Sequence, residues 1–412
     1  MKKTININKI EGSLRAPASK SVAQRALAIA SLAHGQSRIM HVGDSDDVIA
    51  ALGVIQALGA RVQKVDDTVV VEGGITVPRQ VLHCGESGLG IRMFAAVAAT
   101  MNGEVVLTGS GSLSGRPMDM IVRSLLAAGV DCSSQNGFVP VRVNGPIPGG
   151  KVEVDGSVSS QVLTGLLIAA PYAGKPVEIY VQDLKSRPYV DITTRMMQDF
   201  GVATQNENYE IFRIPAPAYY AGRDYVVEGD WSGAAFWLVA AAMAGSIKLD
   251  NLDVSSPQAD KAILEALQLC GAQVIVKGKQ VEVHKAPLKG FTFDATHCPD
   301  LFPPLVALAS SCEGKTMIKG VGRLRVKESD RALALKTEFG KMGMDIVLED
   351  DMMIISGAPL KGAEVHSHHD HRIAMAAAIA SLNSLGPVVI QHAQAVAKSY
   401  PAFYEHLDKV CV

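Results

Sequence analysis

The sequence predicts an α/β protein of the α+β type, made of one unit repeated six times and split three plus three between two domains. Three observations predict it. Glycines 35, 103, 174, 245, 314 and 386 each end an apolar run and precede a short β-leaning run, with steps of 68 to 72 residues (35 to 103; 314 to 386). A second ladder, glycines 59, 129, 201, 271 and 343, ends five amphipathic runs at steps of 70 or 72. A near-constant period over a whole chain means one structural unit repeated. Finally, 412 residues are too many for one simple core.

Taken in order, each unit opens on polar groups followed by a run that is apolar nearly all round, so its first helix is expected to be buried. These runs go from Ser19-Lys20-Ser21 to Ala33, Glu86-Ser87-Gly88 to Met101, and Ser159-Ser160-Gln161 to Tyr172. The other three go from Asp230-Trp231-Ser232 to Ala244, Pro299-Asp300 to Ser311, and Asp370-His371-Arg372 to Leu385. Strands such as Arg38-Ile39-Met40 follow the first glycine. Second helices are expected at Val48–Leu58, Met118–Ala128, Val190–Phe200, Ala262–Cys270, Ala332–Met342 and Ala402–Lys409. The first five end at a glycine, the usual left-handed cap. Alternating pairs such as Arg61–Val65 then read as strands. The unit is thus strand–helix–strand–helix–strand–strand. The sixth lacks its last strands, and the strand-like Lys3–Asn8 lacks a unit, so the N-terminal strand is expected to complete the sixth. The domains are then 1–14 with 223–412, and 15–222, with an active site expected in the cleft between them.

Composition narrows the function. The chain is 48% apolar and 19% charged, with a net charge of −2. That balance gives no sign of nucleic-acid affinity. No signal-peptide core opens the sequence, and the apolar runs are too short and broken to span a membrane. Six cysteines without C-x-x-C spacing read as reduced thiols in a cytoplasmic protein.

Helix N-termini carry free N–H groups and partial positive charge, so several of them bearing cations suit an anionic ligand. Ser21 and Arg25 are four apart on one helix face beside Lys20. Ser159, Ser160 and Gln161 offer neutral donors. Arg116 and Arg187 each precede a proline that starts a second helix. Arg323 to Arg331 is the densest charge run, with Lys327 and Arg331 four apart around Glu328 and Asp330. Such runs are commonly solvated surface. Asp300 has Pro299, Leu301, Phe302 and Pro303 around it, and an acid in apolar company can have a raised pKa and move protons. The alternative for Asp300 is an N-terminal carboxylate favoured by the helix dipole. His366, His368, His369 and His371 lack a carboxylate or cysteine framework of familiar spacing, so the repeat position of Asp370-His371-Arg372 is preferred over a metal site. Gly109–Gly115 misses dinucleotide spacing and reads as a flexible loop. With cations at Lys20, Arg25, Arg92, Arg116, Lys327, Arg331, Arg372 and Lys398 and few acids at these starts, the expected substrate is small and multiply negative.

These stretches resemble 5-enolpyruvylshikimate-3-phosphate synthase, an enolpyruvyl transferase family, over essentially the full length. The residues that carry it are Ser19-Lys20-Ser21 with Arg25-Ala26-Leu27, Asp44-Ser45-Asp46-Asp47, Arg116-Pro117-Met118, Asp155 to Gln161, Val227 to Asp230, Arg325 to Arg331, Asp370-His371-Arg372 and Lys398 to Pro401. The resemblance implies a two-domain inside-out α/β barrel of six βαβαββ repeats. It also implies transfer of the enolpyruvyl group of phosphoenolpyruvate to the 5-hydroxyl of shikimate 3-phosphate, on the route to chorismate and aromatic amino acids. By resemblance Lys20, Ser21, Arg25, Ser159, Ser160, Gln161, Ser186, Asp300, Arg323 and Lys327 would hold shikimate 3-phosphate. Lys20, Gly88, Arg116, Gln161, Arg331, Arg372 and Lys398 would hold phosphoenolpyruvate. Asp300, Glu328 and Lys20 would be catalytic. No cofactor, metal, nucleic acid or membrane is implied, and a monomer is expected.

The chain departs from the family pattern at Glu86 and Leu89, within Gly85 to Leu89, where many members read Gly-Asn-Ala-Gly-Thr. Met93 stands where proline is usual, and Arg323 where asparagine is common. Altered phosphoenolpyruvate affinity and altered sensitivity to the herbicide glyphosate are expected. The competing readings are the sister transfer to a UDP-amino sugar, which uses a loop cysteine that the Gly109–Asp119 loop lacks, and an inactive repeat scaffold, which would scatter its cations.

Overall fold

The apolar runs fold into helices because each is rich in Ala, Leu, Ile and Val with a polar opening and a glycine or strand at its end. In the computed structural model, which describes residues 1–74, 81–157, 159–325 and 327–412, they form helices Lys20–Leu32, Gly88–Ala98, Gln161–Ala169, Trp231–Ala244, Phe302–Ser310 and His371–Ala380. Val158 and Val326, which fall inside two of the motifs above, lie outside the described residues. Every residue of Gly88–Ala98, Trp231–Ala244, Phe302–Ser310 and His371–Ala380 is buried. Second helices are Asp46–Ala57, Asp119–Ala127, Arg187–Asp199, Ile263–Leu269, Arg331–Lys341 and Phe403–Val410. The five glycines that follow the first five of these all adopt left-handed φ, from 76° to 103°, a conformation that costs a side-chain-bearing residue energy.

The chain divides into two compact units, residues 18–227 and residues 1–17 with 228–412. The first holds three four-stranded sheets. In each, a parallel edge strand, a central strand and an antiparallel pair lie side by side, as in Gly150–Asp155, Val177–Gln182, Ile211–Ile214 and Gln205–Glu207. Among the described residues the second unit holds two such sheets, a three-stranded one and a two-stranded one of Leu288–Lys289 with Cys312–Glu313. In the three-stranded sheet Lys2–Ile5 runs antiparallel to Val388–Gln391, whose other neighbour is Glu364–His366.

The division comes later in the chain than 14 and 222, for a reason in the strand register. Ile10–Arg15 pairs in parallel with Gly245–Asp250, and the Ala16 N–H donates to Asp250 O at 3.0 Å. A cut after 14 would sever that strand. Asp224–Val226 pairs in parallel with Gln36–Met40, so it belongs with residues 18–227. Gly245 is needed at its site: a Cβ there would lie 1.8 Å from Ile10 O. The Gly109–Gly115 stretch is not a plain loop but carries a 3-10 turn over Gly111–Gly115. All six cysteines are free thiols. Among the described residues no helix is long and apolar enough to cross a membrane.

Candidate functional site

In residues 18–227 the cations gather at helix starts. Lys20 opens helix Lys20–Leu32 and its Nζ lies 2.7 Å from Asp47 Oδ2, with the lysine side chain 13% exposed and the aspartate 5%. One turn on, Arg25 is buried. It donates to Thr193 Oγ1 at 2.9 Å, Ser21 O at 2.7 Å, Thr164 Oγ1 at 3.2 Å and Tyr189 O at 3.3 Å. Among the described residues no carboxylate pairs with it. Burial pulls its pKa down to about 10. A buried guanidinium among neutral acceptors is a charge prepared for an anion.

The second anchor is the N-terminus of helix Gly88–Ala98. A Cβ on Gly88 would lie 2.5 Å from Arg116 Nη1 and 2.8 Å from Arg92 Nη1, so two guanidinium groups close on this residue. Arg92 donates to Gly88 O at 3.0 Å and Gln161 Oε1 at 3.1 Å. Ser87 caps the helix, accepting from Gly90 N at 3.0 Å. Two cations and a helix N-terminus at a residue without a side chain are features that suit an anion. Gln161 opens helix Gln161–Ala169, with its N–H on Ser159 Oγ at 3.2 Å, and Ser160 is buried as the cap residue. Ser186 caps helix Arg187–Asp199 at φ 54°, ψ 42°. A serine in that left-handed region stores strain, and helix Arg187–Asp199 supplies the Tyr189 and Thr193 oxygens that hold Arg25.

In the other unit the cluster is tighter. Asp300 takes three cations: Arg331 Nη1 at 2.8 Å and Lys327 Nζ at 3.3 Å on Oδ1, and Arg372 Nη2 at 3.1 Å on Oδ2. Arg331 is fully buried and also donates to Glu328 Oε2 at 2.7 Å and to Asp370 from Nε at 2.9 Å. Asp370 caps helix His371–Ala380 through Arg372 N at 2.9 Å and accepts from Ser329 Oγ at 3.1 Å. The apolar surroundings suggested by sequence are therefore wrong for Asp300. Burial alone would raise its pKa, but Arg372, Lys327 and Arg331 hold it well below the usual carboxylate range. Burial is likewise the main effect lowering the Lys327 pKa, against Asp300. The charge run 323–331 is no solvated helix start, since the helix begins only at Arg331. Arg323 sits half-buried in the 3-10 turn Val321–Leu324, and Lys398 is buried at the end of the turn Ala393–Lys398.

Sequence reasoning gave no role to several residues that the structure puts in these clusters. Asp47 holds Lys20, and Thr164 and Thr193 hold Arg25. A hydroxyl inside the apolar helix Gln161–Ala169 was the available signal for Thr164, whereas Thr193 sits in a polar-rich helix that gave none. Asp260 is buried and accepts from Ser232 Oγ, while its Oδ1 has no partner among the described residues. Burial, then Asp300, pushes its pKa up to about 7. Nothing in the sequence around Asp260 marks it. Glu86 does not project a bare charge: its Oε2 accepts from Ser112 N at 2.9 Å and Ser112 Oγ at 2.8 Å, fastening the Gly111–Gly115 turn that leads into Arg116. Leu89 and Met93 are buried in helix Gly88–Ala98.

Comparison with known proteins agrees with this arrangement. A family model described as EPSP synthase (3-phosphoshikimate 1-carboxyvinyltransferase) matches residues 5–407. The chain is 38% identical over 416 residues to a 3-phosphoshikimate 1-carboxyvinyltransferase of Methanocorpusculum labreanum, covering 100% of this chain and 98% of that one. A protein of the same name from Clostridium kluyveri is 38% identical over 406 residues, covering 98% and 95%. Among solved structures, EPSP synthase from Acinetobacter baumannii has a TM-score of 0.84 at 27% identity, covering 100% and 98%. An enolpyruvyl transferase from Streptomyces tendae has a TM-score of 0.80 at 18% identity, covering 99% and 96%, which speaks to the fold.

Proposed function

The chain belongs to the EPSP synthase family, and on that premise we propose that it transfers the enolpyruvyl group of phosphoenolpyruvate to the 5-hydroxyl of shikimate 3-phosphate, releasing phosphate. The observation that carries the proposal is Asp300, an ionised carboxylate held by Lys327, Arg331 and Arg372 beside Glu328. In the addition step the 5-oxygen bonds to C2 of phosphoenolpyruvate, its proton goes to Asp300, and the methylene carbon gains a proton to become a methyl group. In the elimination step the methyl group returns a proton and the C2–O bond to phosphate breaks. Glu328 and Lys20 serve the proton traffic at that carbon, and no bond forms to the enzyme.

Asp300 at rest is too acidic to be a good base. The same three cations are the proposed anchors of the substrates' phosphate and carboxylate groups. As those anions engage them, the attraction on Asp300 weakens and its pKa rises toward that of a working base. In this reading Gly88, Arg116, Gln161, Arg331, Arg372, Lys398 and Lys20 hold phosphoenolpyruvate, with Arg92 added from its place at Gly88. Ser21, Arg25, Ser159, Ser160, Ser186, Arg323 and Lys327 hold shikimate 3-phosphate together with Lys20, Gln161 and Asp300. The enzyme is monomeric and cytoplasmic in this reading, and its chemistry needs no metal or cofactor.

The test is phosphate release from phosphoenolpyruvate with shikimate 3-phosphate, and with UDP-N-acetylglucosamine as a parallel acceptor. Release with shikimate 3-phosphate alone, lost in Asp300→Ala, is the expected result. Release only with the sugar, or none with either, overturns the proposal. General acid–base help is typically worth about 10²–10⁴ in rate, so a smaller loss in Asp300→Ala removes Asp300 from the proton transfer.

A further inference from the structure

Four histidines crowd residues 366–371, and the fold sorts them. His371 turns inward and is 1% exposed. His368 Nε2 lies 2.7 Å from Glu338 Oε1. His366 and His369 instead meet His392, which stands 23 residues beyond His369 (392 minus 369). The parallel pairing of His366 with Gln391 brings His392 alongside. Ring centroids are 4.4 Å apart for His369 and His392, and 4.7 Å for His366 and His392. One ring nitrogen from each of the three lies within 4.8 Å of the others.

We infer that His366, His369 and His392 form a binding site for a divalent transition-metal ion that prefers nitrogen ligands, such as Zn²⁺ or Ni²⁺, with water completing its shell. Three imidazoles this close repel one another as cations. An ion that takes a lone pair from each turns the same crowding into attraction. Metal ligands must be neutral imidazoles, and one ring nitrogen of each is already within reach of the other two. Zinc–nitrogen bonds of ~2.0–2.1 Å place tetrahedral ligand atoms roughly 3.3 Å apart. The rings therefore close by roughly 1.5 Å, within the reach of side-chain rotation. An all-imidazole set suits Zn²⁺, Ni²⁺ or Cu²⁺ and disfavours Mg²⁺.

One hydrogen bond reports on the ion. The His368 N–H donates to His366 Nδ1 at 2.8 Å. If Nδ1 takes the ion, that acceptor is lost. If Nε2 takes it, the ring proton moves to Nδ1 and the acceptor is lost again.

The experiment is calorimetric titration of the full chain, without an affinity tag, with Zn²⁺, Ni²⁺ and Mg²⁺. It compares the wild type with His369→Gln, His392→Gln and, outside the cluster, His83→Gln. We expect one Zn²⁺ or Ni²⁺ per chain, weakened roughly ten- to hundredfold or more in each cluster variant and unchanged in His83→Gln. Zn²⁺ is also expected to shift the His368 amide resonance. Binding in both cluster variants equal to wild type, or Mg²⁺ binding as tightly as Zn²⁺, overturns the inference. Should His392→Gln fail to fold, His369→Gln, at an exposed position, decides it alone.

Discussion

Gly165 lies in helix Gln161–Ala169 where it crosses helix Gly88–Ala98, and giving it one methyl group should impair the anion site as well as the fold. A Cβ on Gly165 would lie 2.9 Å from Arg92 O, Met93 Cα and Met93 O, all of them backbone atoms that cannot swing aside. Ordinary contact begins at 3.4 Å, so Gly165→Ala forces the helices apart by about 0.5 Å (3.4 minus 2.9). Overpacking of this kind costs about 1–3 kcal/mol, while the alanine returns about 1 kcal/mol of helix propensity, leaving a net loss of roughly 0–2 kcal/mol. The same shift stretches Arg92 Nη1 to Gln161 Oε1 from 3.1 Å to beyond hydrogen-bond reach. That bond lies within the protein, and losing a hydrogen bond to a charged group adds about 1.5–3 kcal/mol to the cost. Urea unfolding should therefore show a loss of roughly 1.5–5 kcal/mol, and the KM for phosphoenolpyruvate should rise because Arg92 is no longer held by Gln161. An unchanged KM, with or without a loss of stability, would refute the argument that this helix contact sets the anion site.

Three further outcomes follow from the clusters. Asp370→Asn takes from the fully buried Arg331 a facing negative charge and one of its two acceptor oxygens there, and denaturant unfolding should show a loss of about 3–5 kcal/mol; less than about 1 kcal/mol would mean that Glu328 and Asp300 suffice. Asp300 has a folded-state pKa below its unfolded value of about 3.9, so its ionised form stabilises the fold fully above that value and the contribution fades as pH falls through the lower folded-state pKa. The stability gap between wild type and Asp300→Asn should accordingly narrow below about pH 4, and a gap that widens there contradicts the assignment; between about pH 7 and 5 the titration of Asp260, which Asp300 raises, also enters the gap. In Glu86→Asn with Leu89→Thr, the Ser112 bonds that fasten the turn before Arg116 are weakened, so phosphoenolpyruvate affinity and glyphosate inhibition should both change; equal values for both would show that this turn does not act on Arg116.

The repeat was legible because its signals are local. An apolar run, a glycine able to take a left-handed turn and an alternating strand can each be read within about fifteen residues, and their recurrence near seventy gives the six units. The site was legible as helix starts rich in cations, but its charge balance was not. The three cations on Asp300 come from positions 27, 31 and 72 residues away, as 327, 331 and 372 lie from 300. Sequence placed Asp300 among its apolar chain neighbours, whereas its neighbours in space are guanidinium and ammonium groups. His392 escaped the histidine run for the same reason, since only strand pairing brings it beside His366.

The N-terminal strand also bears on how the protein is made. Lys2–Ile5 leaves the ribosome well before its partner Val388–Gln391, which follows only after the residues between them. At about 5–20 residues per second, the first strand waits on the order of 20–80 seconds with its edge unpaired. Residues 18–227 have all their sheet partners in hand long before then. During synthesis the cell must therefore shelter a finished half and an idle strand together, and a stall before residue 388 leaves both Lys2–Ile5 and Glu364–His366 without the strand that joins them.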